Sequence, residues 1–326
     1  MGRAGLGTIL LMAVMALWPM LSRESSAGTG LQLHLGGGPS GSAMTNAATA
    51  VAVLLSRNIQ DLEVSSQVTP GSRANLRRLR EGSIELGIVL AGDTLPELSP
   101  MTDPTVIEAG QVCAVAGLYR VPAQLAVLAH SPITLAQDIR DKRVCVGSPG
   151  SSTVHVAERL FSALGWWDTM EKLFLGHAEA AQALSEGRAD AMLLMDGLPS
   201  KHLLELAGAK GLRLIDLHQP ASATGLYDQR LGYTPVTIPA GTYPGQDKPV
   251  PTFADTAWLC AMEMLPAQVI RECLAALSST EGLELLSVLV QTAEPVDKLT
   301  QAKPLLPLHP GVLNGQELAS IPEAAP

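Results

Sequence analysis

The chain has 326 residues, 47% of them hydrophobic, with a net charge of −9 and a pI near 5.3. That length holds two domains of ordinary size. The acidic balance excludes nucleic acid as a partner, because such a protein needs clustered Lys and Arg to neutralise phosphates.

Residues 1–27 read as an export signal: Arg3 supplies the positive start, Leu6 to Leu21 is uncharged and mostly apolar, and Ser25, Ser26 and Ala27 offer a cleavage site before Gly28. The apolar run is interrupted by Pro19 and falls short of the roughly 20 residues that span a bilayer. The protein is therefore expected to be periplasmic or extracytoplasmic. Beyond the signal, strands are expected at Leu31–Leu35, Leu62–Val68, Glu85–Leu90, Gln124–Ala129, Arg143–Val146 and Ala191–Met195, with helical patterns between most of them. This alternation predicts α/β layers with mostly parallel sheets.

Within the helices, Ala43, Ala47, Ala50, Val51, Leu54 and Leu55 form a small-residue face suited to lying close on a sheet. Arg73, Arg77, Arg78 and Arg80 read as the solvated face of a short helix. Thr134 is expected to cap the short helix carrying Leu135 and Ile139, and Gly187 to end the one carrying Ala180, Ala181 and Leu184. Cys113, Cys145, Cys260 and Cys273 lack metal or scaffold spacing and are expected to be free thiols, although spacing leaves one long-range bridge open. Past Pro304 the chain is rich in proline and small residues, and its last dozen residues are expected to be loosely ordered.

Reactive chemistry is sparse. The sequence has no GxxxxGK[ST] loop and no GxSxG elbow, and its seven histidines show neither HxxxH nor HExxH spacing, so no metal site and no cofactor is expected. The run from Gly36 to Gly41 fits GxGxxG after a strand, which keeps a dinucleotide-dependent enzyme as an alternative. In that fold, however, an acid closes the second strand, whereas Asp61 and Glu63 open it here.

Three glycine- and hydroxyl-rich helix starts remain: Ser40-Gly41-Ser42, Gly71-Ser72 and Gly150-Ser151-Ser152-Thr153. Each offers unpaired N–H groups and the positive end of a helix dipole, suited either to capping or to holding a carboxylate.

Four strings resemble, in the same order, those of the TAXI family, the solute-binding subunits of TRAP-type transporters. They are Thr69–Leu76 (TPGSRANL), Gly147–Thr153 (GSPGSST), Ile238–Asp247 (IPAGTYPGQD, preceded by Tyr233, Thr234 and Pro235) and Pro307–Gly311 (PLHPG). The resemblance runs over about residues 30–313. It implies a type II-like periplasmic binding fold with two lobes joined by two crossing strands: lobe one at 28–127 and 253–326, lobe two at 128–252. The crossings are expected at Gln124–Ala129 and Pro251–Met262.

It also implies a non-enzymatic protein that passes a small organic anion to TRAP permease subunits in the membrane, the cargo being a dicarboxylate, an oxo acid or a glutamate-like amino acid. A divergent binding protein serving a membrane sensor is the alternative that keeps the fold. The solute carboxylate is expected at Ser40, Gly41 and Ser42 and at Ser151, Ser152 and Thr153. Ser72 and Tyr119 would contribute from lobe one, while Asp196, Gly197 and Tyr243 would shape the opposite wall. The chain departs from the family at Gly37–Met44, where an aromatic pair is replaced, at Leu90–Asp93, where a less polar wall is expected, and at Val312 and Leu313.

Overall fold

The computed structural model describes residues 30–94, 111–228, 232–289 and 304–313. The expected export signal at 1–27 and the chain's last dozen residues lie outside this range. The first unit comprises β1 (Leu31–Gly36), α1 (Ala43–Asn58), β2 (Leu62–Gln67), α2 (Ser72–Arg80) and β3 (Leu86–Leu90). Its strands are parallel, in the order β2-β1-β3. α1 presents Ala47, Ala50, Val51, Leu54 and Leu55 inward, and these short side chains let it lie close on β2. β3 is buried along its whole length, as suits a strand covered on both faces.

β4 (Val112–Leu128) then leaves this sheet for the next. Residues 112–122 run antiparallel to a late strand, while residues 123–128 pair with strands of the second unit. The second unit repeats the first: β5 (Arg143–Cys145), α3 (Ser152–Ala163), β6 (Glu171–Leu173), α4 (His177–Ser185) and β7 (Ala191–Met195), with the order β6-β5-β7.

α5 (Lys201–Lys210), β8 (Leu212–Ile215), α6 (His218–Ala223) and β9 (Thr234–Ile238) follow. The chain returns through β10 (Val250–Met262), which pairs with β9 at its start and with β4 and β3 beyond. The Thr252 hydroxyl donates to the Ala123 carbonyl at 2.7 Å and ties the two long strands together at the handover. α7 (Ala267–Ser278) and α8 (Thr280–Leu289) pack back on α1.

The expected α/β class stands, but the sheet is mixed and not mostly parallel, because the long strands β4 and β10 pair antiparallel with each other and with their neighbours. Five of the six expected strands match to within about a residue. The sixth needs correction: Gln124–Ala129 is only the end of β4, which begins at Val112. Both faces of β4 are buried, so its first half has no polar alternation, and Gly117 and Pro122 read as interruptions.

Thr134 also differs from expectation. The short 3-10 turn spans Ala136–Ile139 with Leu135 at its cap position, and the Thr134 N–H and hydroxyl both donate to the Asp138 carboxylate instead of capping. Gly187 follows α4 with φ +71°, the left-handed turn that ends a helix. All four cysteines are free and buried. Among the described residues no helix is long and apolar enough to cross a membrane.

Candidate functional site

The carboxyl ends of β1, β3, β5 and β7 face one another across the molecule, and a cavity of about 40 Å³ lies between them. That volume holds only a few waters. Eight of the expected residues line it: Ser42, Ser72 and Tyr119 on one side, and Ser151, Ser152, Thr153, Asp196 and Gly197 on the other. Ser40, Gly41 and Tyr243 do not. Ser40 is exposed on the turn ahead of α1, with Gly41 beside it at φ +76°.

The two first helices start alike. Ser42 caps α1, its hydroxyl accepting from Thr45 N at 3.3 Å, and Ser151 caps α3, its hydroxyl accepting from Val154 N at 3.4 Å. Two further hydroxyls secure strand ends. Ser72 accepts from Leu90 N at 2.8 Å, and Thr153 accepts from Met195 N at 3.2 Å.

Two carboxylates bridge the cleft. Asp196, just after β7 and 4% exposed, reaches the first unit, where its Oδ1 accepts from Ala43 N at 3.1 Å; the same oxygen accepts from Gly197 N at 2.9 Å. Ala43 opens α1, so this carboxylate sits at the positive end of that helix. Asp93, just after β3, reaches the other way and accepts from the Ser152 hydroxyl at 2.5 Å. Sequence reasoning expected a less polar wall at Leu90–Asp93. The structure instead buries the Asp93 carboxylate there, 8% exposed, because a hydroxyl on the facing helix satisfies it.

Behind Asp93 lies Asp255 of β10, which accepts from Gly92 N at 3.1 Å. Burial, and then the neighbouring Asp93 charge, push its carboxyl up to about 8. At the rim, Arg73 of α2 meets Nε2 of His155 of α3 at 2.5 Å, and burial followed by the Arg73 charge lowers the His155 imidazole below its ordinary range.

Tyr243 stands one step back from the cavity. Its loop is held by Gln246, whose side-chain amide donates to the carbonyls of Pro239 and Lys248 at 3.0 Å each, and by the Gly241 N–H, which donates to the Gln246 carbonyl at 2.8 Å. The Tyr243 hydroxyl accepts from Ser200 N at 2.9 Å and donates to Gln124 of β4, whose amide in turn donates to the Asp196 carbonyl at 3.2 Å. The constrained loop therefore fastens the wall that carries Asp196.

Sequence reasoning missed His177, Met44, Met195 and Val121 on the cavity wall. Of these only His177 carried a readable signal, as the first residue of a helix after a Gly. Among the described residues no group of three or more potential metal ligands comes together.

This arrangement, two α/β units with a cleft at their strand ends and long strands running between them, is that of the periplasmic binding proteins, in the two-lobed type II-like form. Solved structures agree on the fold. MatC from Rhodopseudomonas palustris with bound malate is 14% identical with a TM-score of 0.54, over 89% of this chain and 97% of that one. An R. palustris protein solved with adipate is 21% identical with a TM-score of 0.53, over 88% and 96%. A putative L-cystine ABC transporter protein from Listeria monocytogenes is 13% identical with a TM-score of 0.53, over 81% and 99%. The model of the NMT1-like family matches residues 35–314, and the chain belongs to that family.

Proposed function

We propose that this protein is an extracytoplasmic solute-binding protein which holds a small organic acid in the cleft between its two units and delivers it to a membrane transporter. The observation that carries this reading is the cavity itself, closed on both sides by strand ends and helix starts from different units. Lobe one comprises 28–127 with 253–326 and lobe two 128–252, and the lobes move about β4 and β10. The pairing of β4 changes partner between Pro122 and Ala123, which supplies a physical reason for bending there.

The four family strings support the narrower assignment to a TAXI-type subunit of a TRAP transporter, with TRAP permease subunits as partners and export by a cleaved signal. Dicarboxylates, oxo acids and glutamate-like amino acids are the cargo classes in question. Malate and adipate, seen in two proteins of the same fold, make those acids natural first probes. X-ray scattering with and without a bound organic acid tests the reading. A solute that binds should reduce the radius of gyration, because contacts to both lobes form only when the cleft shuts. A bound solute that leaves the radius and the interlobe distances unchanged would defeat it.

A further inference from the structure

The cavity has an unusual charge balance for a receiver of anions. Among the described residues no lysine or arginine lines it, and Asp196, His177 and Tyr119 are the titratable side chains of the lining. Burial lowers the His177 imidazole below its ordinary range and raises the Tyr119 phenol, so both are neutral near pH 7. Asp196 therefore supplies the formal charge of the wall. Its Oδ1 takes both backbone N–H donors, while Oδ2 accepts no hydrogen bond among the described residues and lies 4.0 Å from His177 Nδ1, itself a buried atom without a partner.

The consequence for cargo is direct. The α1 start, where a solute carboxylate would be welcomed, is already occupied by the chain's own carboxylate. An anion entering beside it would meet like charge with no basic side chain among the described lining residues to offset it. A cation would meet a fixed carboxylate with one oxygen free, held in place by two N–H groups and by the Tyr243–Gln124 chain behind it.

We infer that the solute carries an ammonium group that pairs with Asp196 Oδ2, which makes the cargo an amino acid or an amine rather than a plain dicarboxylate. This rests on the cavity being the solute cleft. A zwitterion also has a place for its carboxylate. Ser151, Ser152 and Thr153 at the α3 start line the same cavity; Asp93 engages the Ser152 hydroxyl there, but among the described residues no carboxylate accepts from the backbone N–H groups of that start.

Matched pairs decide it. The twenty amino acids and linear diamines are screened by thermal shift and titration calorimetry beside the acids and diols that lack the amino group, with malate and adipate included. Binding is expected from the amine-bearing members alone. Asp196→Asn keeps an oxygen for Ala43 N and Gly197 N, so it should fold, and it should weaken the best amine by about 10- to 150-fold, the worth of a charged hydrogen bond. N-acetylation of that amine probes the same contact without altering the protein and should abolish binding.

Acids without an amino group that bind as tightly as their partners, or that bind more tightly to Asp196→Asn, would overturn the inference and leave the solute-binding reading standing. A panel in which nothing binds would remove both.

Discussion

The two units of the molecule are built on one plan, and their helix starts show it atom by atom. Gly41 and Gly150 have φ +76° and +75°, each followed by a serine cap, with φ −79° and ψ 157° at Ser42 and φ −80° and ψ 156° at Ser151. Each cap N–H donates three residues back, Ser42 to Pro39 O at 3.1 Å and Ser151 to Ser148 O at 3.0 Å. Each unit then sends a carboxylate from the end of its third strand, Asp93 or Asp196, to the first helix of the other.

The difference lies in the residue that receives the carboxylate. Ala43 offers only its N–H, so Asp196 acts as a helix cap; Ser152 offers a hydroxyl, so Asp93 makes a side-chain pair. A shared backbone fixes where charge crosses the cleft, and single side chains decide how tightly each crossing is tied and what room is left for a solute.

The largest expected effect concerns what stands behind the first crossing. Asp93 is backed by Asp255, whose carboxyl is pushed from 3.8 up to about 8. A carboxyl raised on folding stabilises fully below its unfolded value, loses that contribution as pH rises from about 4 to 8, and contributes nothing above. At about 1.4 kcal/mol for each tenfold step the loss comes to roughly 6 kcal/mol. Denaturant unfolding of wild type and Asp255→Asn across this range should show the variant gaining several kcal/mol relative to wild type by pH 8. Parallel curves would mean that Asp255 is ionised throughout.

Next in size are the hydroxyls that hold the strand ends. Ser72→Ala strands the buried Leu90 N–H and Thr153→Ala strands that of Met195, each at a cost of about 1–3 kcal/mol. The helices differ, since Ser72 comes from the second helix of its unit and Thr153 from the first of its own, so similar losses would show that the strand end matters and the donor helix does not. Thr153 also borders the cavity. If its hydroxyl serves Met195 alone, solute affinity measured by calorimetry stays near wild type while the melting point falls; a 10-fold or larger loss of affinity would place the hydroxyl on the solute as well.

Much of this architecture was legible because helix caps and turns are written in local sequence. Gly41-Ser42, Gly150-Ser151 and Gly187 carry their geometry in the residue type, and the apolar run Ala191–Met195 has one sensible reading as a buried strand. What escaped depends on distant partners. Asp93 looked like the end of an unremarkable Leu-Ala-Gly-Asp string, because the hydroxyl that satisfies it lies 59 residues on. Tyr243 was expected to shape the cleft wall, yet its bond to Gln124 across 119 residues sets it behind that wall. The first half of β4 failed for a third reason: with both faces covered it shows no period at all.

The crossings themselves should matter less to stability than the groups around them. Asp196→Ala removes a helix cap, worth about 1 kcal/mol, and Asp93→Ala removes one hydroxyl pair of similar size. Because the Asp93 charge adds to burial in raising the Asp255 carboxyl, only Asp93→Ala should shift the pH dependence of stability, moving the Asp255 transition downward. A double variant whose loss equals the sum of the singles would show that the two crossings act independently, as sites without shared partners do.

The paired glycines test the shared plan most directly. Alanine at Gly41 or Gly150 would have to hold a left-handed backbone, at a cost of about 1–2 kcal/mol. Packing adds nothing: a Cβ at Gly150 meets no atom within 4 Å, and one at Gly41 meets only His202 Nε2 at 4.0 Å. Strain alone therefore sets both costs, and the two variants should melt lower by the same amount, with asparagine at either site costing less because it tolerates the left-handed region. Unequal losses would show that the two turns, alike in angle, are not alike in rigidity.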